Sequence, residues 1–356
     1  MKNLTVKIFV GLVVVTAVLL QSCKKDNEVY SFLLNERGAF VDEPGGTASV
    51  GFTAVNIATV SPTTVPQGWS VSVDMNERRI YVTAPTTFPE ESTQADEENT
   101  NVRFGTVYLT GRSSGGSSVS TSLYVSLAEV VDLTDQPSNC YIVNKSNARY
   151  CIDVTRKGED TEATLSPASV AIMWETPYKV IEFPKLVDGK AYFYHAIGID
   201  DKKKEFFSHG NALLGAFDSA GNLLWSWHLW CAEFDPAEEQ VELGGEVMMK
   251  RNLGAGGVSG SSAEDIYASY GVYYQWGRKD PFVGPRYYNM ANSADALIYD
   301  SQNLRVYTEY AATDSERGVM SYANAHAMTF ITGTEASGYN WLQTADASLW
   351  KADKNN

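Results

Sequence analysis

Between residues 45 and 130 the chain alternates apolar and polar positions in short runs. Thr47–Thr53 alternates small polar with apolar residues, and Trp69, Val71 and Val73 fall on one face of Trp69–Asp74. Arg79–Ala84, Gly105–Thr110 and Val119–Leu127 repeat the pattern, separated by polar turns at Met75–Arg78 and Ser113–Ser118. A period of two over five to nine residues, bounded by turn formers, predicts strands half buried in a sandwich. Pro89–Asn101, with Glu90, Glu91, Asp96, Glu97 and Glu98 and no apolar period, reads as a solvated loop.

A second set of strands follows. Asn139–Val143 and Tyr150–Val154 read as a pair joined through Asn144–Ala148, and Ala168–Glu175 and Ala191–Ala196 as further strands. The clearest hairpin is Asn211–Trp230, turning at Asp218–Asn222, where Gly221 and Asn222 accept positive φ cheaply. On its return strand Trp225 and Trp227 point one way and Trp230 the other. Alternate tryptophans on a strand are read as core, since each buries about 150–250 Å²; Trp230 stays open as a ligand contact.

From residue 241 the pattern changes. A Gly/Ser loop runs through Ser262, and then comes Tyr270-Gly271-Val272-Tyr273-Tyr274-Gln275-Trp276-Gly277-Arg278-Lys279-Asp280-Pro281-Phe282, followed by His326–Ile331 and Tyr339–Leu342. The fold class predicted is mainly β: an Ig-like β-sandwich over 30–130, a second β-rich module over 131–240, and a mixed α+β domain over 241–356.

The first residues bear on location. Lys2 and Lys7 precede Ile8–Leu20, an uncharged apolar stretch. It is shorter than the roughly 20 residues a spanning helix needs and suits a signal peptide. Leu20-Gln21-Ser22-Cys23 resembles a lipobox. That resemblance implies cleavage after residue 22, acyl chains on Cys23 and a tether over 23–29, with the protein anchored at an outer membrane and exposed at the cell surface. Lys24-Lys25-Asp26-Asn27-Glu28 is similar to the export signal of Bacteroidetes surface lipoproteins.

Two further resemblances concern the body of the chain. Gly68–Asp74 with Ile80–Pro85 resembles the Ig-like Bacteroidetes-associated carbohydrate-binding often-N-terminal modules, which often serve as spacers. Arg251-Asn252-Leu253-Gly254-Ala255, the Gly271–Phe282 run, Met328–Ile331 and Asn340-Trp341-Leu342 look like the Fibrobacter major paralogous domain. Asn211–Leu229 is similar to the strand pair that commonly precedes it. This domain recurs in fimbrillin-like surface lipoproteins, and its fold is related to C-type lectins and the formylglycine-generating enzyme. Its members continue into a Cys-Pro-x-Gly-Trp segment, which is not found before Asn356, so the resemblance implies a partial domain.

Composition narrows the partners. Hydrophobic residues at 44% and aromatics at 12% argue for folded domains. A formal charge of −15 opposes nucleic acid and anionic membrane surfaces, both negative. The four histidines, His195, His209, His228 and His326, form no His-Glu-x-x-His, and no Gly-x-Ser-x-Gly elbow is present. No catalytic residue, cofactor or metal is therefore expected. Cys140 and Cys151 flank Tyr141–Tyr150, which reads as a hairpin, where a cross-strand disulfide is sterically allowed. Tyr274, Trp276 and Arg278, with Trp230, combine rings and polar groups in a way that suits a sugar or peptide contact. The expected role is adhesion or fimbria-like assembly. Glycan capture beside an outer-membrane importer is the alternative, and a degenerate enzyme of the formylglycine-generating type is a third reading.

Overall fold

The computed structural model describes residues 29–89, 100–158, 160–202, 204–258, 260–284 and 297–351. Cys23 and the acidic residues Glu90–Glu98 lie outside them. Strands account for 46% and helices for 6%, so the fold is mainly β. The chain divides into two compact units. One ends at Val130 and takes in Asn147–Arg149; the other holds Val131–Ser146 and everything from Tyr150 onward.

The first unit contains β1 (Ser31–Leu34), β2 (Gly38–Val41), β3 (Thr47–Val55), β4 (Thr59–Thr64), β5 (Ser70–Asp74), β6 (Arg79–Thr83), β7 (Phe104–Arg112) and β8 (Ser118–Leu127). They form two four-stranded sheets, β1-β3-β6-β5 and β2-β8-β7-β4. Val50, Phe52, Ile80 and Val82 from one sheet share a buried core with Val107, Leu109, Leu123 and Val125 from the other. These are the apolar positions of the period-two runs, so alternation in the sequence becomes one dry and one wet face per sheet. Trp69 closes one end, its ring buried and its Nε1 donating to the Val102 carbonyl at 2.8 Å. The pattern left out β1, β2 and β4. The first two are four residues long, too short to display a period. In β4 only Val60 is buried, and Pro62 is tolerated because the strand lies at a sheet edge.

The second unit opens within β9 (Glu129–Asp132, from Val131) and continues through β10 (Cys140–Val143), β11 (Ala148–Asp153, from Tyr150), β12 (Arg156–Lys157), β13 (Asp160–Thr164), β14 (Ser169–Thr176), β15 (Ile181–Val187) and β16 (Lys190–His195). Next come β17 (Ile197–Ile199), β18 (Glu205–Phe207), β19 (Gly210–Phe217), β20 (Leu223–Cys231), β21 (Gln240–Leu243), β22 (Glu246–Met249) and α1 (Ala263–Ala268). The chain ends with β23 (Ile298–Tyr299), β24 (Arg305–Val306), β25 (Glu309–Ala312), α2 (Met320–Ala325) and β26 (Thr329–Thr332). A six-stranded sheet runs β10-β20-β19-β14-β23-β24 and a four-stranded one β15-β16-β11-β9. β19 and β20 form the predicted hairpin, and β20, flanked by β19 and β10, is buried from Ser226 to Cys231. An interior strand covered on both faces loses the clean alternation of a surface strand.

One predicted pairing is replaced. β10 does not pair with β11: it runs parallel to β20, with Cys140 opposite His228, while β11 joins β16 and β9 in the other sheet. Both segments alternate well enough for a hairpin. Cys140 and Ile142 of β10 instead pack against Trp230, Ala232 and Phe234. Cys140 and Cys151 accordingly sit in different sheets as free thiols.

Three of the hairpin turns share one device. Asp218 Oδ1 accepts from the amides of Ala220 and Asn222, Asp200 Oδ1 from those of Lys202 and Lys204, and Asp300 Oδ1 from those of Gln302 and Leu304. Each carboxylate thereby replaces the strand partner that the turn lacks.

β14 carries a buried acid. Glu175 accepts from the amides of Lys179 and Ile181, both at 2.8 Å. Burial outweighs these bonds and raises its carboxyl to about 7. From its ordinary value of 4.5 up to about 7 the folded state therefore holds a proton that the unfolded chain has released. Stability is lost as pH climbs through that window, by about 1.4 kcal/mol per unit for this group. Glu175→Gln removes the term. Urea midpoints for the two proteins between pH 4.5 and 7 should converge or cross in favour of the variant as pH rises; parallel curves would refute the assignment.

Candidate functional site

The run Tyr274–Asp280 lies against the six-stranded sheet and ties several elements together. Gln275 behaves like a backbone unit: its Nε2 donates to the Ile331 carbonyl at 2.7 Å and its Oε1 accepts from the Ile331 amide at 3.0 Å. Gly277 has φ +81°, a region that suits glycine, and a Cβ there would meet Leu349.

Arg278 is the most constrained of the four ligand candidates. It is 1% exposed. Its Nη1 donates to Gln275 Oε1 and to the Thr329 carbonyl, and its Nη2 to the carbonyls of Ala323, His326 and Ala327. The last three lie at and just beyond the C-terminus of α2, where helix carbonyls have no intrahelical partner. The guanidinium thus caps α2 and stands over the Phe282 ring at 5.0 Å. Lys279 is also buried: its Nζ meets Asp280 Oδ1 at 2.6 Å and Ser226 Oγ, and lies 4.3 Å from the centre of the Trp225 ring. Burial lowers its pKa, partly offset by Asp280.

Trp230 is 1% exposed, with Nε1 donating to the Ala255 carbonyl at 3.0 Å. It is part of the core and presents no ring to a ligand. Tyr274 is partly buried and points its hydroxyl at His228 Nδ1, 3.0 Å away.

Trp276 is different. It is 40% exposed and firmly held: its Nε1 donates to the Asp346 carbonyl at 2.9 Å, and its own carbonyl accepts from Trp341 Nε1 at 2.9 Å. Its ring meets that of Trp350, itself 53% exposed, edge to face at 5.0 Å and 62°. The pair gives an anchored, solvent-facing aromatic corner. Of the four ligand candidates, the structure leaves Trp276 facing outward, commits Trp230 and Arg278 to packing, and turns Tyr274 inward. Trp350 joins Trp276 through the turn after residue 346, which the aromatic spacing does not predict.

A second cluster arises from distant positions. His228 Nε2 lies 2.8 Å from Asn211 Oδ1, and Asn211 Nδ2 donates to the Gly254 carbonyl at 2.9 Å. Cys140 Sγ lies 3.2 Å from His228 Nδ1. A thiol, a base and an amide that orients the base form the outline of a nucleophile. Burial works against that use, pushing the Cys140 thiol up to about 12 and His228 down to about 3. The resting pair is thiol and neutral imidazole, with no thiolate to attack at neutral pH. Residues 140, 211, 228 and 274 share no motif, so only the fold reveals their meeting. Among the described residues, no three His, Cys, Asp or Glu side chains gather as metal ligands, and no helix is long and apolar enough to cross a membrane.

No family model matches the chain, and no curated protein matches it. Among solved structures it is similar to SGBP-B of the Bacteroides ovatus mixed-linkage glucan utilization locus, in complex with a mixed-linkage heptasaccharide. Identity is 12% and the TM-score 0.16, over 55% of this chain and 43% of that one. The human desmocollin-1 ectodomain is 11% identical with a TM-score of 0.20, over 58% and 41%. The Yersinia pseudotuberculosis adhesin InvE is 12% identical with a TM-score of 0.18, over 72% and 75%. The chain thus spans less than half the length of the first two.

Proposed function

We propose that this chain is a non-enzymatic surface protein that adheres by capturing carbohydrate on the Trp276–Trp350 corner. The observation that carries this reading is the pairing of two exposed indoles, one fixed by hydrogen bonds on its ring and its backbone. A sugar ring presents an apolar C–H face that matches an indole face, and a ring already locked in place loses little entropy on binding. The net charge of −15 favours neutral over acidic glycans. Anchoring through an acylated Cys23 rests on the motif around that residue and is part of the proposal.

The test is a glycan array probed with the soluble chain lacking residues 1–22, with titration of any hit. Trp276→Ala should weaken binding at least tenfold, about 1.4 kcal/mol, with the urea midpoint little changed. An array without hits, or a hit indifferent to Trp276→Ala and Trp350→Ala, would overturn the reading.

One observation favours assembly with other surface proteins. The β21–β22 hairpin, turned by Gly244 and Gly245, exposes Leu243, Val247, Met248 and Met249 by 58, 66, 52 and 38%. Exposed apolar residues grouped on two paired strands mark contact surfaces. Co-purification of a protein partner, in the absence of glycan binding, would support this second reading over the first.

A further inference from the structure

His228 Nδ1 is an acceptor contested by two donors. Its ring tautomer follows from Asn211: because Asn211 Nδ2 donates to the Gly254 carbonyl, Asn211 Oδ1 faces His228 and accepts from its Nε2–H. Nδ1 is therefore bare, with a single lone pair. Two X–H groups converge on it, the Cys140 thiol at 3.2 Å and the Tyr274 hydroxyl at 3.0 Å. One lone pair cannot serve both well. A histidine whose second nitrogen is pinned by a side-chain oxygen is also the usual arrangement of a metal-ligating imidazole.

From this geometry we infer that Cys140 Sγ and His228 Nδ1, with Tyr274 Oη as a weaker third donor, form a binding site for a soft monovalent d10 cation such as Cu+. Thiolate and imidazole are the donors such ions select. The charge count singles out the monovalent ion. Cu+ replaces the thiol proton, which leaves to solvent, so one positive charge takes the place of another and the buried site stays neutral. A divalent ion would leave a net positive charge in surroundings where unpaired charge is costly. The fit needs little movement. Bonds of about 2.3 Å to sulfur and 2.0 Å to nitrogen, the lengths zinc makes, held at a trigonal angle with Tyr274 Oη as third donor, put sulfur and nitrogen about 3.7 Å apart, about half an ångström beyond the present 3.2 Å. Cys140 lies on the edge strand β10, where such a shift is easiest.

The experiment titrates the full chain with Cu+ under anaerobic, reducing conditions against a chromophoric Cu+ chelator, and follows thermal unfolding in parallel. One equivalent should bind tightly, with a thiolate-to-copper absorption band and a raised melting temperature. Cys140→Ser should lower the affinity at least 100-fold, Tyr274→Phe less than tenfold, and Cys151→Ser and Cys231→Ser not at all. X-ray absorption of the loaded wild type should report a mixed sulfur and nitrogen shell. Unchanged affinity in Cys140→Ser, or an all-sulfur shell, would overturn the assignment. The absorption spectrum of the wild type decides the question even if Cys140→Ser fails to fold.

Discussion

Arg278→Ala is expected to lower the stability of the unit that begins at Val131 by about 3–5 kcal/mol, the range seen when one side of a buried charged hydrogen-bond set is removed. The loss has three sources. The carbonyls of Thr329, Ala323, His326 and Ala327 lose their donor together. Gln275 Oε1 is left with the Ile331 amide alone. The space over the Phe282 ring becomes a cavity. Arg278→Lys should recover little, because an ammonium lacks the planar fork that reaches both α2 and Thr329. Denaturation in urea followed by tryptophan fluorescence measures the effect, since all but one of the tryptophans lie in this unit. A midpoint within error of wild type would show that the guanidinium is dispensable, and the description of Tyr274–Asp280 as a structural hub would fall with it.

Trp230→Ala should cost a comparable amount, about 3–5 kcal/mol, through the cavity left beside Ala232 and Phe234. The same variant leaves the Ala255 carbonyl without the indole donor. Trp230→Phe keeps most of the volume and loses the donor, so a smaller deficit of about 1–2 kcal/mol is expected. The contrast with Trp276 is the informative result. A large stability loss at Trp230 beside a small one at Trp276 separates the packed indole from the presented one. The reverse order, read from the same urea curves, would contradict the packing described for both.

The sandwich of the first unit was legible because its strands bury one face only. Val50, Phe52, Ile80 and Val82 each sit two positions from the next buried residue on their strand, and that spacing is written directly in the sequence. The β19–β20 hairpin was legible through its turn, and the same Asp-led turn recurs at Asp200 and Asp300. What stayed hidden depends on choice among partners. β10 pairs with β20 and packs on the cluster around Trp230, a choice of partner that no local pattern encodes. The candidate ligand residues divide for a related reason. Trp230, Tyr274, Trp276 and Arg278 have the same composition whether they face solvent or core, and only the fold distinguishes them. The cluster of Cys140, His228 and Asn211 draws on strands far apart in sequence, beyond any spacing rule.

β20 also sets the alignment of its neighbours. Ser226, His228 and Trp230 occupy one side, Trp225, Trp227 and Leu229 the other, and both sides are enclosed from Ser226 onward. If β10 slid by one residue, Cys140 would leave His228 and the thiol would turn to the opposite side of the sheet. Shifting β20 itself would drive the hydroxyl of Ser226 and the imidazole of His228 away from Asp280 and Asn211, exchanging answered polar groups for orphaned ones. A wholly greasy strand would tolerate several alignments. The few polar atoms beneath this one act as a key with a single fitting position.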